Sequence, residues 1–592
     1  MSDKDALRAN EFAELPGLPT SVRRLLSNRA FAILLAVAIA VIGTLPQFLS
    51  RLNGDAAFLL YAAGRVLDGA RLYVDLVEIN PPLIVWLNLP IQLASRITDV
   101  TPMMMLRLCL VSVLVGSLFA SRWVLRRTDC GNDVVWRRLV LLLLAFALFV
   151  LPRLDWGERE HVAMALLVPY VLLAAPRLER QGVSRFAAIA IGAMGALGMA
   201  LKPPLALLWF AREGLVLRKA GGRKLMPEAV TILAGGAAYI LAVKAITPEY
   251  FGVVRQLGRP YGTFIHNSLG VTALLGDGAA VVLGAVLLAV ALWRWVGKHQ
   301  FLAALLAAIV ALYLAAVIQL KGFRYHFLPS MGLSWVLLGL LASRAPRSWR
   351  QWTGRLFASI AASATITMAM TALIGCIRQA GDPLNPRYDS DPSVGQLIQV
   401  AKRFAGEPVA VISTNMASGF PLTNYAGTIW PLRFTHLWPL VAVYDSALNA
   451  ADPFRYRPAD RMVPLERMVL VTTSEDLLRA RPPLIAVLTR GPDLPKWGMR
   501  RLDLLAFMRR DDRLRRFLGA YDSAGVVGQY MVFVRRDAVP PHFVLPPTSA
   551  VVARATPSPN EIAPAPDALL VSLAFAMILA LCWRYYGLEA RP

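Results

Sequence analysis

Charge is what this sequence has least of. Only 17% of its 592 residues are Asp, Glu, Lys or Arg, where soluble domains carry about 25%. With 56% hydrophobic residues, that shortage excludes a soluble enzyme, a disordered chain and a fibrous protein. Cysteine is scarcer still, at four. Cys109, Cys376 and Cys582 fall in or beside apolar runs, Cys130 lies in a basic loop, and no CxxC pair exists. Neither a disulfide framework nor a cysteine-held metal is indicated. No P-loop, GxGxxG, HExxH or GxSxG stands in a supporting context, and there is no internal repeat.

What is present is a series of uncharged stretches near 20 residues, such as Phe31 to Ser50. These are long enough to cross a bilayer as helices. The chain reads as a polytopic membrane protein. Acidic residues number 38 against 62 basic ones, a net charge of +24. In a soluble chain that excess would suggest nucleic acid. Here it sits in short clusters between apolar runs, at Arg126-Arg127, Arg137-Arg138, Arg218-Lys219 and Arg344 to Arg355. That is the orientation signal of membrane proteins, so no nucleic-acid partner is expected. The first apolar run lacks a small-residue cleavage site and reads as a retained span.

Arg23, Arg24 and Arg29 place the N-terminal segment, residues 1–30, in the cytoplasm. Further spans are expected near 102–125, 139–152, 161–176, 186–201, 204–217, 227–247, 271–293, 300–319, 327–343 and 356–376. A last one near 568–583 brings the total to about 12. Residues 51–101 form a first external loop with two amphipathic segments, Asp55 to Leu67 and Pro82 to Ala94. The second is about 13 residues, too short to span, and reads as an interfacial helix. The membrane domain thus covers residues 31–377. Residues 378–538 change character and carry strand-like runs: Pro408 to Ser413, Met468 to Thr472, Leu484 to Leu488 and Tyr530 to Val534. Leu502 to Leu518 reads as one amphipathic helix. A small external α/β domain is expected there, followed by a Pro-rich linker at 539–567 and the last span with a cytoplasmic tail at 568–592.

On this topology, charged and aromatic groups gather at the outer face. Asp55 directly follows the first span. As a carboxylate at the membrane surface it is a candidate general base, or else a helix cap. The same loop offers Asp75, Glu78 and Asn80 as substrate contacts, although Asn80-Pro81-Pro82 also fixes an extended turn without any function. The second external loop is dense, with Asp155, Glu158, Arg159, Glu160 and His161 close together. Lys202 ends another outward span, and Arg324, Tyr325 and His326 begin the return of a later one. Arg107 lies just inside its span, where an ionisable group is expensive and often functional. Cations of this set could hold a phosphate leaving group beside a base.

The order of these features resembles the GT-C superfamily of membrane glycosyltransferases, in particular the protein O-mannosyltransferases and the lipid A aminoarabinose transferases. The matching features are Asp55 after the first span, Tyr73-x-Asp75 and Pro81-Pro82-Leu83 before an interfacial helix. Arg107, Glu160, Lys202-Pro203 and Tyr325-His326-Phe327-Leu328-Pro329 follow in family order. The resemblance covers roughly residues 30–345. It departs at Asp55-Ala56, where the family usually has Asp-Glu, and at Asn80, where it usually has lysine. The missing carboxylate makes a metal site in that loop less expected, and a divalent cation is not indicated as a cofactor.

The resemblance implies an inverting glycosyltransferase that takes a sugar from a polyprenyl-phosphate donor to a lipid, glycan or protein acceptor. It would work among membrane lipids at the outer face of a bacterial inner membrane, with a periplasmic soluble domain. Asp55 would be the catalytic base. Asp155, Glu158, Arg159, Glu160 and His161 would contact substrate, and Arg107, Lys202, Arg324, Tyr325 and His326 the lipid phosphate. The aromatic stretch Phe420 to Leu440 would roof the cavity, or simply pack the soluble domain onto the membrane interface. Two other classes stay open: a transporter or flippase of lipid-linked glycans, for which Lys244, toward the outer end of its span, is the one clear candidate charge, and a catalytically altered scaffold.

Overall fold

A computed structural model of the chain describes residues 18–220, 225–296, 299–344, 352–381, 394–448, 454–489, 502–540, 543, 545 and 577–581. The expected last span, the linker and the extreme N-terminus fall largely or wholly outside the described residues.

Among the described residues, seven helices are long and apolar enough to cross a membrane: Arg29–Leu49, Pro102–Leu125, Arg159–Leu178, Pro227–Ile246, Gln300–Val317, Arg324–Ser343 and Trp352–Ala380. The pair Leu269–Leu275 and Ala279–Trp293, bent by 69°, makes eight if taken as one broken span. This is a membrane protein, and the described residues do not confirm the expected count of 12. Three of the expected spans are the helices Val134–Phe149, Arg185–Ala200 and Leu207–Ala220, of 16, 16 and 14 residues. Each is shorter than the roughly 20 residues that crossing needs. Arg324–Ser343 is the central helix, buried over almost its whole length. Trp335 stacks on Phe146 there, with ring centroids 4.5 Å apart. The first span closes tightly on Val134–Phe149: a Cβ at Gly43 would lie 2.3 Å from the Phe149 carbonyl oxygen.

The first loop holds the helices Gly54–Leu67 and Leu83–Thr98. The second begins directly after Pro81-Pro82, since proline suits the start of a helix and bars the residue before it. Gln92 ties the two together by donating to the Leu60 carbonyl at 2.7 Å. Another amphipathic helix, Glu249–Thr263, follows the Pro227–Ile246 span.

The expected α/β domain holds a four-stranded mixed sheet flanked by helices. Its strands are β1 (Val409–Ile412), β2 (Leu484–Leu488), β3 (Tyr521–Val527) and β4 (Tyr530–Arg535), in the order β1-β2-β4-β3. β1 and β2 run parallel, and β4 is antiparallel to both β2 and β3. Two expectations are corrected here. Met468 to Thr472 is helical, within Pro464–Ala480: proline at the first helical position and Glu466 in the first turn start a helix that overrides the local β-branched run. Leu502 to Leu518 is two helices, Leu504–Met508 and Asp512–Leu518, because Asp511 caps the second by accepting from the Arg513 N–H at 2.8 Å.

The soluble domain docks on the first loop. The Val77 N–H donates to the Arg433 carbonyl at 2.8 Å, Asn424 to the Ala57 carbonyl at 3.0 Å, and the Trp430 N–H to the Tyr61 hydroxyl at 2.8 Å. Phe420 fills the seam against Phe58, Tyr61 and Trp430, with centroids 5.1 to 5.4 Å apart. Within the aromatic stretch, Phe420 and Trp430 therefore pack the seam, while Thr435, His436 and Trp438 face a cavity.

Candidate active site

That cavity, of about 300 Å³, lies between the first loop, the start of the Arg159 helix, the Glu249–Thr263 helix and the soluble domain. Asp55 reaches it from the first turn of Gly54–Leu67. The cap of that helix is Asn53, whose side chain accepts from the Ala56 N–H at 2.8 Å. Asp55 is thus released from capping. Burial raises its pKa above the ordinary carboxylate value, against the nearby Arg159 guanidinium. Glu158 is pushed up further, by burial and then by Asp55 and Glu160.

Arg159 is the central cation. Its side chain is 4% exposed, and its Nε and one terminal nitrogen have no hydrogen-bond partner. Asp55, Glu78, Glu158 and Glu160 are the charges acting on it. Glu78 is shaped by its own turn: one carboxylate oxygen accepts the Ile79 and Asn80 N–H groups at 2.9 and 2.8 Å, and also the Asn80 amide. Burial raises Glu78 as well.

Of the residues singled out from sequence, the cavity brings together Asp55, Glu78, Asn80, Glu158, Arg159 and Tyr325. Glu160, Lys202 and His326 form a group that is not part of its lining. Lys202 pairs with Glu160, His326 Nε2 stands 3.8 Å from the same oxygen, and the Lys202 ammonium lies 5.5 Å from the Tyr325 ring centre. Burial lowers Lys202. His161 is engaged elsewhere: Nδ1 accepts from the Gly157 N–H at 3.1 Å, and Nε2 bonds the Leu148 carbonyl at 2.8 Å. Arg324 pairs with Asp155 and donates to the Pro152 and Leu151 carbonyls at 3.1 and 2.6 Å. Asp75 is exposed and closes a turn by accepting from the Arg71 N–H. Arg107 lines a separate cavity.

Sequence reading missed several lining groups. Lys321 donates to the Tyr261 and Gly262 carbonyls at 2.7 and 3.4 Å and to that of Phe264, and burial lowers it to about 8. Burial also holds Tyr261 up at about 12 and His436 down at about 3. Lys321 adjoins the motif at Arg324 to His326, which was its one signal. Tyr261 gave none, because only the tertiary fold brings it here, whereas His436 and Trp438 lie in the aromatic stretch expected to roof the cavity. Among the described residues no three His, Cys, Asp or Glu side chains are placed to hold a metal ion.

Chemically, the cavity joins an unpaired carboxylate to an unpaired guanidinium and, as a second cation, the Lys321 ammonium, under a cover of aromatic rings. Such a set can take a proton on one side and hold a departing anion on the other.

No family model matches the sequence, and no curated protein matches it. Among solved structures the chain is similar to the crystal structure of ArnT from Cupriavidus metallidurans bound to undecaprenyl phosphate. The two are 13% identical, with 85% of this chain and 98% of that chain covered, and the TM-score is 0.50. At that identity the likeness is one of fold. It shows a membrane fold like that of ArnT.

Proposed function

We propose that this GT-C-like protein is a glycosyltransferase that moves a sugar from a polyprenyl-phosphate donor to an acceptor hydroxyl at the outer face of a bacterial inner membrane, with inversion. The observation that carries it is Asp55, uncapped and unpaired in the same cavity as the unpartnered Arg159 guanidinium. Support comes from the fold shared with a protein crystallised with undecaprenyl phosphate.

In the step itself, Asp55 takes the proton from the acceptor hydroxyl as that oxygen attacks the anomeric carbon. The bond from that carbon to the phosphate oxygen breaks on the opposite face, and its electrons leave with the phosphate. Arg159 and Lys321 meet the charge that develops, where fixed cations in a water-poor site act most strongly. Asn80 and Glu78 hold sugar or acceptor hydroxyls, and the Thr435 to Trp438 segment covers the site. A lipid carrier fits because nucleotide sugars are cytoplasmic and too polar to cross.

The test is transfer by the purified full-length protein. A polyprenyl-phosphate sugar should serve as donor and a nucleotide sugar should not; equal use of both would sink the donor assignment. The orientation has its own test in a cysteine-free background. A single cysteine at the exposed Glu407 should react with an impermeant reagent on intact cells, and one at Asn132 should not. The reverse pattern would invert the topology.

A further inference from the structure

The charged lining of the central cavity, from Asp55 to Lys321, comes from the membrane helices and their loops, while the α/β domain closes it with two short segments. The first, Thr414 to Ala417, directly follows β1. That is the carboxyl end of a strand with a parallel neighbour, where open α/β sheets carry their ligands. The second is Thr435 to Trp438. Both are tied to the sheet and to each other. The Leu437 N–H donates to the Ser413 carbonyl at 2.7 Å, and Ser418 joins the Ser413 hydroxyl, at 3.0 Å, to the Tyr530 hydroxyl of β4. The first segment also presses on the catalytic turn: a Cβ at Gly54, just before Asp55, would lie 3.0 Å from the Phe420 carbonyl oxygen.

The fold leaves a polar group over in each segment. Thr414 is 3% exposed, and its hydroxyl has no hydrogen-bond partner among the described residues. His436 meets the Thr435 hydroxyl through Nδ1 at 2.8 Å, and its Nε2 has no partner among the described residues. Burial keeps this ring neutral, so Nε2 can donate to a hydroxyl or accept from one. A buried hydroxyl without a partner is costly, and a ligand that supplies one removes the cost.

Aromatic rings complete the pocket. Trp438 stands edge-on to Tyr261 with ring centroids 5.4 Å apart, and it packs on Phe264 at 5.6 Å. The Phe264 ring lies 6.4 Å from that of His436. The same Tyr261 and Phe264 rings carry the Lys321 ammonium, 4.9 and 5.9 Å from their centres. The cation proposed to meet the leaving phosphate and the two leftover groups thus share one aromatic wall. A single bond separates a phosphate oxygen from the anomeric carbon, so a sugar whose phosphate sits at Lys321 lies beside His436 and Trp438. Apolar ring faces with a few fixed polar groups are the make-up of a small-ligand site. We propose that the α/β domain holds the sugar of the donor, with the Thr414 hydroxyl and His436 Nε2 on its hydroxyls and Trp438 and Tyr261 against its ring. This rests on the transferase reading and adds that the choice of sugar resides in the α/β domain.

The experiment measures, without acceptor, the binding of undecaprenyl phosphate and of its glucosyl, mannosyl, galactosyl and arabinosyl forms to the purified full-length protein. At least one sugar-bearing form should bind more tightly than the bare lipid. In Thr414→Val and in His436→Phe that advantage should shrink by roughly two- to tenfold, the worth of a neutral hydrogen bond. Binding of the bare lipid should stay unchanged in both, which also shows that the variants are folded. Thr414→Ser keeps the hydroxyl and should keep the advantage. No advantage for any of the four sugars, or an advantage that neither variant moves, would overturn the proposal. The two readings fail separately. Sugar-dependent binding with no transfer would keep the sugar site and sink the transferase; transfer with an advantage that neither variant moves would do the reverse.

Discussion

The Arg159–Leu178 helix carries an arginine near each end, and the fold treats them oppositely. At one end Arg159 is left with unpartnered nitrogens beside a cavity. At the other, Arg177 makes a two-pronged pair with Glu228 at 2.9 and 2.8 Å. Arg212 meets Glu228 at 2.9 Å and also pairs with Glu213, and Tyr170 donates to Glu213 at 2.7 Å. Two guanidinium groups face two carboxylates, and the set closes on itself. A buried charge with a partner tells of packing; one without a partner tells of a missing ligand. The inner cluster is the kind of feature a transporter reading asks for, yet all four of its charged groups already have partners. The exposed Lys244 adds nothing to it.

The contrast breaks most sharply at the reacting end. Asp55→Asn keeps the shape and removes the basicity. Transfer should fall by about 10²–10⁴-fold, the worth of a positioned general base, while lipid binding and thermal stability persist. Near-normal transfer would strip Asp55 of its role. At the paired end the loss should be of stability. Glu228→Ala strands Arg177 and leaves Arg212 with Glu213 alone, and breaking a buried pair in this way is destabilising by about 3–5 kcal/mol. Thermal unfolding in detergent measures it; an unshifted midpoint would mean that the cluster is not structural.

Arg159→Gln tests the distinction on the same helix. With no pair to break, it should leave the unfolding midpoint nearly in place. It should weaken binding of undecaprenyl phosphate by roughly ten- to a hundredfold, from the about 1.5–3 kcal/mol of a hydrogen bond to a charged group. If stability fell as far as in Glu228→Ala, the two ends would be alike and the comparison would fail.

The two regions also differ in how far sequence reaches them. Asp55, Glu78, Asn80, Glu158 and Arg159 were legible because they lie at the ends of apolar runs, where charge density shows locally. The inner cluster was not, since Tyr170, Arg177, Arg212, Glu213 and Glu228 come from three helices and read singly as loop or interface charges. The membrane fold followed from the order of motifs. The span count did not, because helices of 14 to 16 residues look the same in sequence whether they cross or stop short. Strands β1, β2 and β4 were visible as apolar runs. β3 was not: it is partly exposed, with Asp522, Ser523 and Gly525 in its length.

The smallest effect expected is a change of pH profile at Lys321, and it sharpens the picture most finely. Burial brings this lysine from an ordinary value near 10.4 to about 8. Its charged form is therefore present at neutral pH and lost as pH rises through 8. If that charge meets the leaving phosphate, kcat/KM should fall on an alkaline limb centred near 8. The acid limb should belong to Asp55, whose raised value means that the base is protonated, and transfer lost, sooner on acidification than for an ordinary aspartate. Lys321→Arg separates the two limbs. Arginine stays protonated in proteins, so the alkaline limb should move well above 8 while the acid limb stays and the rate at pH 7 changes little. An alkaline limb that does not move would take Lys321 out of phosphate stabilisation and leave that role to Arg159 alone.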